Sequence, residues 1–499
     1  MELQFDRTAV NYLAQALWQG QNQEQTQEVK LTDAMPDIGK VIGCWGQVIL
    51  RGKEWRSNGI QTSGGVMAWV LYTPEGGGEP VAVETWLPFQ MKWDFSQPQR
   101  DGSILIRPLL YGVDARSTSA RKLMVRSHVG ILAQALVPET AEVYTPGQVP
   151  EDVQLLKNTY PVTLMKEAGE KAFQIDDDLT LPAPCPRIDK LIRYTIQPEL
   201  IDQKVMGDKV VFRGTAIVRL LYVGEDGRLK NWDFEVPFSQ YGELERDYEE
   251  DACADVIPAV TALELELLES GDLHLKAGVV AQYMIRERQM LDIVTDGYSI
   301  GREATPQITE LELPAILESR KETIHAERAI PTEGNQLIDI GFYPEQPRLS
   351  RNGEQMEVEL PGSFQLLSYD SQGALYGNTA RWETTFTLPV AQDVRMNAAV
   401  CLSGLPQASM GAGEVNARAD SDVQLQSIST AGIPMVTGMQ LGEEKTPRQD
   451  RPSLLLRRMG ADGLWGVAKR CGSTVEEIRR VNHLTQDPEE DRMLLIPVP

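Results

Sequence analysis

Four histidines, His128, His274, His325 and His483, are spread across a chain of 499 residues, and none lies three or four positions from another. Metal ligation from one helix face needs that spacing, so isolated packed or surface histidines are expected. Two acidic runs, "IDDDL" (Ile175–Leu179) and "ERDYEEDACAD" (Glu245–Asp255), hold enough carboxylates for paired acid–base cleavage of a glycosidic bond or for a divalent cation. Nothing near them supplies the apolar pocket that would raise one carboxyl pKa, so solvated charge at strand entrances is the better reading. The five cysteines are far apart and form no C-x-x-C pair, which suits free thiols in a reducing compartment. There is no G-x-S-x-G elbow, no G-x-x-x-x-G-K loop and no G-x-G-x-x-G opening a helix. Trp45, Trp55, Trp69, Trp86 and Trp93 fall at strand spacing, which favours core and inter-domain packing over a sugar-stacking face. No catalytic residue, cofactor or metal site is expected.

The candidate contact residues lie instead in "MGADGLWGVAKRCGSTVEEIRRVNHL" (Met459–Leu484) and just after it. "SLLLRRMG" reads as a strand. Asp462 stands at the N-cap of a helix over 463–470, with Leu464, Val467 and Ala468 facing inward. Cys471-Gly472 ends that helix. Ser473 and Glu476 have the spacing of a capping box for a second helix, with Val475, Ile478 and Val481 on one face. "RMLLIPVP" returns as a strand, giving a small βααβ unit.

The elements before this tail repeat. "MAWVLYTPEGGGEPVAVETWLPF", "AIVRLLYVGEDGRLKNWDFEVPF" and "SFQLLSYDSQGALYGNTARWETTF" each read as a β-hairpin, with strands ending at Tyr72, Tyr222 and Tyr369 and at Phe89, Phe238 and Phe386. The tyrosines are 150 and 147 residues apart, a whole-domain period. Leading strands match as "AMPDIGKVIGCWGQVILRG" and "APCPRIDKLIRYTIQPELID", with "GNQLIDIGFYPEQPRLS" a degenerate third. Trailing strands match as "SHVGILAQAL", "AGVVAQYMI" and "SDVQLQSI". The stretch "VPEDVQLLKNTYPVTLMKEAGEKAFQIDDDLTLP" could add an edge strand or exchange between copies. The expected fold is mainly β: antiparallel β domains over 1–140, 141–290 and 291–432 (the last degenerate), a polar linker over 433–452, and the α+β unit over 453–499.

Charge is divided unevenly. Formal net charge is −24, from 72 acidic and 48 basic residues, while the last 47 residues carry seven of each sign. Such an acidic body argues against nucleic acid and anionic membranes as main partners. The N-terminus has no basic region before an apolar core, and no apolar run reaches the roughly 18 residues of a membrane span, so a soluble, non-exported chain is expected.

Two resemblances follow from these residues. The tail resembles the LysM fold: Ala461-Asp462-Gly463-Leu464-Trp465 corresponds to G-D-[ST]-L-W, the run from Ser473 to Ile478 with Asn482-His483-Leu484 to SVEEL…N-x-L, and Leu494-Leu495-Ile496-Pro497 to the closing LLIP. In that family a shallow groove between the loop before helix one and the loop after helix two holds N-acetylglucosamine polymers. Here Glu490-Asp491-Arg492 replaces the P-G-Q before the last strand, so a protein-docking use fits better than glycan capture. "LTDAMPDIGKVIGCWGQV" with the repeated hairpin resembles the SPOCS domain of spore coat assembly proteins in clostridia and relatives, and SPOCS domains followed by LysM is the layout of the SipL-type family. The resemblance implies a scaffold made in the mother cell and placed on the forespore surface. Its implied partners are the coat morphogenetic ATPase (stage IV sporulation protein A), bound through LysM, and other coat proteins. The partner-binding candidates are Asp462, Leu464, Trp465, Ile478, Asn482, Glu490, Asp491 and Arg492. A cell-wall glycan adaptor is the alternative.

Overall fold

The computed structural model describes residues 2–498 except 412, 446–452, 461, 462, 487 and 489–491. The chain is mainly β, as its alternating patterns require. It opens with β1 (Glu2–Lys30), β2 (Ile38–Arg56), β3 (Gly59–Pro74), β4 (Val81–Asp94), β5 (Ser103–Ser119) and β6 (Lys122–Pro146). Next come β7 (Val153–Leu179), β8 (Ile188–Gly224), β9 (Leu229–Tyr248), β10 (Cys253–Leu267) and β11 (Leu273–Ser299). They are followed by β12 (Arg302–Glu312), β13 (Ile316–Pro331), β14 (Gly334–Pro344), β15 (Arg348–Asn352), β16 (Gln355–Asp370), β17 (Leu375–Pro389), β18 (Val394–Met410), β19 (Glu414–Ser429) and β20 (Gly432–Glu444). The tail has β21 (Leu454–Arg458), α1 (Gly463–Cys471), α2 (Val475–Val481) and β22 (Met493–Pro497). Residues 433–444, read from sequence as linker, therefore belong to a strand. Met439 and Leu441 are buried there because their alternation continues past the polar residues.

Three hairpin sheets face three sets of three strands. The hairpin sheets are β2-β3-β4, β8-β9 and β14-β16-β17 with β15 also paired to β16; the facing sets are β1-β6-β5 (continuing through β20 to β12 as a five-stranded sheet), β7-β11-β10 and β13-β19-β18. Each facing pair encloses one apolar cluster. Val70, Leu87 and Ile131 are in the first, Leu220, Val236 and Val279 in the second, and Val358, Trp382 and Val423 in the third. The stretch left open between an edge strand and an exchanged strand is β7, an edge strand of its own sheet.

All three hairpins have the turn placed where the sequence reads it: Tyr72 opposes Val81, Tyr222 opposes Lys230 and Tyr369 opposes Leu375. The third differs in phase. Tyr72 and Tyr222 point into the clusters of their own hairpins, while Tyr369 points outward, where its hydroxyl accepts the N–H of Leu229 at 2.9 Å. Since side chains alternate faces, a one-residue slip inverts them. Ser368, not Tyr369, occupies the position of the other two tyrosines, so the third offset is 146 rather than 147. In the first two hairpins a glycine lets strands approach: a Cβ on Gly64 would meet Ile49 O at 2.2 Å, and one on Gly214 would meet Glu199 O at 1.9 Å.

The outward faces meet in a junction of Ile42, Ile192 and Ile338 with Leu71, Leu221 and Leu367. Beside it Arg193 donates to Asp339 at 2.6 Å and Arg219 donates to the other oxygen at 3.0 Å, while Arg193 lies 5.3 Å over the Trp45 ring. Burial disfavours the Asp339 carboxylate, but the two guanidiniums outweigh it and hold its pKa below the usual range.

Beyond the clusters the long strands continue as three ribbons, β1/β6, β7/β11 and β12/β20. Their apolar faces converge through Val10, Val143, Leu164, Ile293, Leu311 and Met435. β1 also pairs with β20 over Glu2–Gln4, joining the first strand of the chain to the last strand of this body.

Candidate partner-binding site

The tail folds around Leu464, Val467, Ala468, Ile478, Leu494 and Ile496. α1 ends where Gly472 takes φ +69°, which lets the Ser473 N–H reach Ala468 O at 3.0 Å and satisfy a terminal carbonyl. The cap of α2 is one residue later than the sequence spacing indicates: Thr474 is the N-cap and accepts the Glu477 N–H at 3.1 Å. Ser473 is instead buried, its carbonyl taken by an outside donor. β21 and β22 pair antiparallel, with Leu456 opposite Leu495 and Arg458 opposite Met493.

The sequence candidates separate into distinct places. Leu464 and Ile478 are fully buried in the tail core. Asn482 caps α2 and clamps the returning strand: its amide nitrogen donates to Ile478 O at 2.8 Å and Leu495 O at 2.6 Å, and its oxygen accepts the Leu495 N–H at 2.8 Å. Arg492 is exposed, and its carbonyl accepts the Met459 N–H. Asp462, Glu490 and Asp491 lie outside the described residues.

Trp465 faces the body. Its indole N–H donates to Asp296 Oδ2 at 2.8 Å, and its ring meets Tyr298 edge-on with centroids 4.9 Å apart. Lys469, one turn along α1, donates to both Asp296 oxygens at 2.7 Å. The Tyr298 hydroxyl donates to Ser473 O at 2.8 Å. Burial works against ionisation of Asp296, but hydrogen bonds from Lys469, Trp465 and the Gly297 N–H outweigh it, so its carboxyl stays below the ordinary value. The end of β11 thus holds the tail by two side chains, Asp296 and Tyr298. Sequence spacing could not reveal this, because Asp296 and Trp465 are 169 residues apart.

Much of the apolar surface left open on the tail is on the outer face of its small sheet. Leu454, Leu456, Met493 and Leu495 are all exposed there, and their register makes them neighbours. Large apolar side chains gathered on one face differ from scattered ones, which need no explanation.

The other chemical candidates disperse into packing. His274 meets Asp178 at 2.7 Å across β11 and β7, and His325 meets Asp420 at 2.7 Å across β13 and β19. His128 packs edge-on against Tyr111. In the second acidic run Arg246 pairs with Glu287 and the Tyr248 hydroxyl donates to Glu167. Among the described residues no group of three His, Cys, Asp or Glu is placed to hold a metal ion. Trp45, Trp69 and Trp93 are buried, and Trp69 donates to Glu84 while touching Tyr194 of the second unit. No helix among the described residues is long and apolar enough to cross a membrane.

Residues 187–268, which run from β8 into the turn after β10, match a family model described as SipL, SPOCS domain. No curated protein matches the chain, and no solved structure does. The match covers the second hairpin with the strand after it, and it supports a SipL-type family for this chain.

Proposed function

We propose that this protein is a non-enzymatic scaffold of spore coat assembly, built from three SPOCS-like units and a C-terminal LysM-type module, and working at the forespore surface on the mother-cell side. The observation that carries the reading is the SPOCS match over residues 187–268, which points to a role connected with the spore coat. In this reading the tail docks on the coat morphogenetic ATPase, stage IV sporulation protein A, while the acidic body contacts other coat proteins. Support for a protein partner comes from the tail surface. Trp465 is engaged by Asp296 and Tyr298, which leaves the sheet face of Leu454, Leu456, Met493 and Leu495, with exposed Arg492 next in sequence, as the apolar surface open to a partner. Desolvating such a face is the main driving force in association.

The test offers the purified full chain to the ATPase and, separately, to peptidoglycan. The scaffold reading expects saturable binding to the ATPase, weakened at least tenfold by Leu456→Asp with Leu495→Asp. Retention on peptidoglycan with no binding to the ATPase would replace it with the glycan-adaptor reading.

A further inference from the structure

A cavity of about 750 Å3 opens where β5, β10 and β18 come together, and Val48, Val256 and Val400 bring one wall from each apolar cluster. The volume is in the range of small-molecule sites. Six cationic and four acidic side chains line it.

Several of the cations are neutralised. Arg286 donates to Asp255 at 3.0 Å, Lys321 meets Asp422 at 2.5 Å, and Arg193 and Arg219 share Asp339. Among the described residues Arg107 on β5 forms no ion pair. It is 8% exposed, its one hydrogen bond is a long one to Gln134 Oε1 at 3.4 Å, and one side of the guanidinium is covered by the Trp18 ring at 5.2 Å. Burial pushes its pKa down to about 10, so it remains charged at neutral pH. The charge of Asp255 acts on it without forming an ion pair, and a buried cation held by a single long hydrogen bond is costly. Next to it, Asp255 Oδ2 and Arg286 Nε are buried without a well-formed hydrogen bond although they lie 2.9 Å apart. Cys401 on β18 also lines the cavity, its thiol donating to Asp422 O at 3.7 Å.

We propose that this cavity binds a small organic anion, whose carboxylate or phosphate is received by Arg107, with the Asp255–Arg286 pair positioned to meet a polar group of the same ligand. A planar guanidinium accepts either anion in a two-point contact. All three units form the walls, so occupancy ties them together independently of the tail.

The full chain is titrated with citrate and, in a second arm, with inorganic phosphate. Tryptophan emission and the melting midpoint are followed, because Trp45 lines the cavity and Trp18 covers Arg107. At least one anion is expected to give a saturable emission change and a raised midpoint, and the arm that responds identifies the anion class. Arg107→Met should melt no lower than the wild type without ligand and bind at least tenfold more weakly. Cys401→Phe, which fills the cavity and keeps Arg107, should also lose the response. Absence of saturable binding in both arms, or an unchanged response in both variants, overturns the proposal.

Discussion

Asp296 and Asp339 show how single carboxylates can organise this chain. Asp339 is buried between two arginines from another unit. Removing its charge leaves Arg193 uncompensated and Arg219 with Asp233 alone, a change that typically costs about 3–5 kcal/mol. Asp339→Asn should therefore lower the unfolding free energy from urea titration by that amount without altering the tail; an unchanged value would show the pairs to be incidental. Asp296 holds the tail through charge-assisted hydrogen bonds, worth roughly 1.5–3 kcal/mol each. Asp296→Asn should raise amide exchange in 463–471 by at least tenfold while leaving the three-unit body protected. Its depressed pKa sets the sign with pH. The docked state is favoured above the unfolded carboxyl value of about 3.9 and weakens as pH falls through the lower folded value. Exchange followed from pH 6 to 3 should show the tail loosening at the acid end in the wild type, and Asp296→Asn should remove that dependence.

At the scale of elements, the hairpins were readable because alternation and turn residues are local signals. The turns after Tyr72, Tyr222 and Tyr369 stand where "TPEGGGEP", "GEDG" and "DSQG" place them. The phase of the third hairpin was not readable, because tyrosine identity suggested an alignment that the burial of Leu366 and Leu367 on opposite faces contradicts. Likewise 433–444 carries charged and glycine residues that resemble a tether. Only pairing with β1 and β12 reveals it as a strand. The candidate site divides in the same way: Leu464 and Ile478 were legible as apolar helix positions and both are buried in the tail core, whereas the docking of Trp465 on Asp296 was not legible. The close approach at Gly214 supplies a test at this scale. Gly214→Val should destabilise the second unit by about 2 kcal/mol or more, since its Cβ would overlap Glu199 O. The urea midpoint reads it, and a neutral effect would mean that β8 can shift at no cost.

The whole molecule has three interlocked β units whose long ribbons extend to one end, where β11 receives the tail. The junction is asymmetric, with Trp45, Arg193 and Asp339 contributed by different units. The units are therefore not interchangeable, and the charged body and the near-neutral tail present different surfaces. In the proposed function the tail carries the partner contact of a coat scaffold. Co-purification from sporulating cells tests this, using the full chain and a chain ending at residue 452, with the melting midpoint of the truncated body as a check on its fold. The truncated body should melt as before and lose the morphogenetic ATPase. Equal recovery of the ATPase from both chains would place the contact elsewhere.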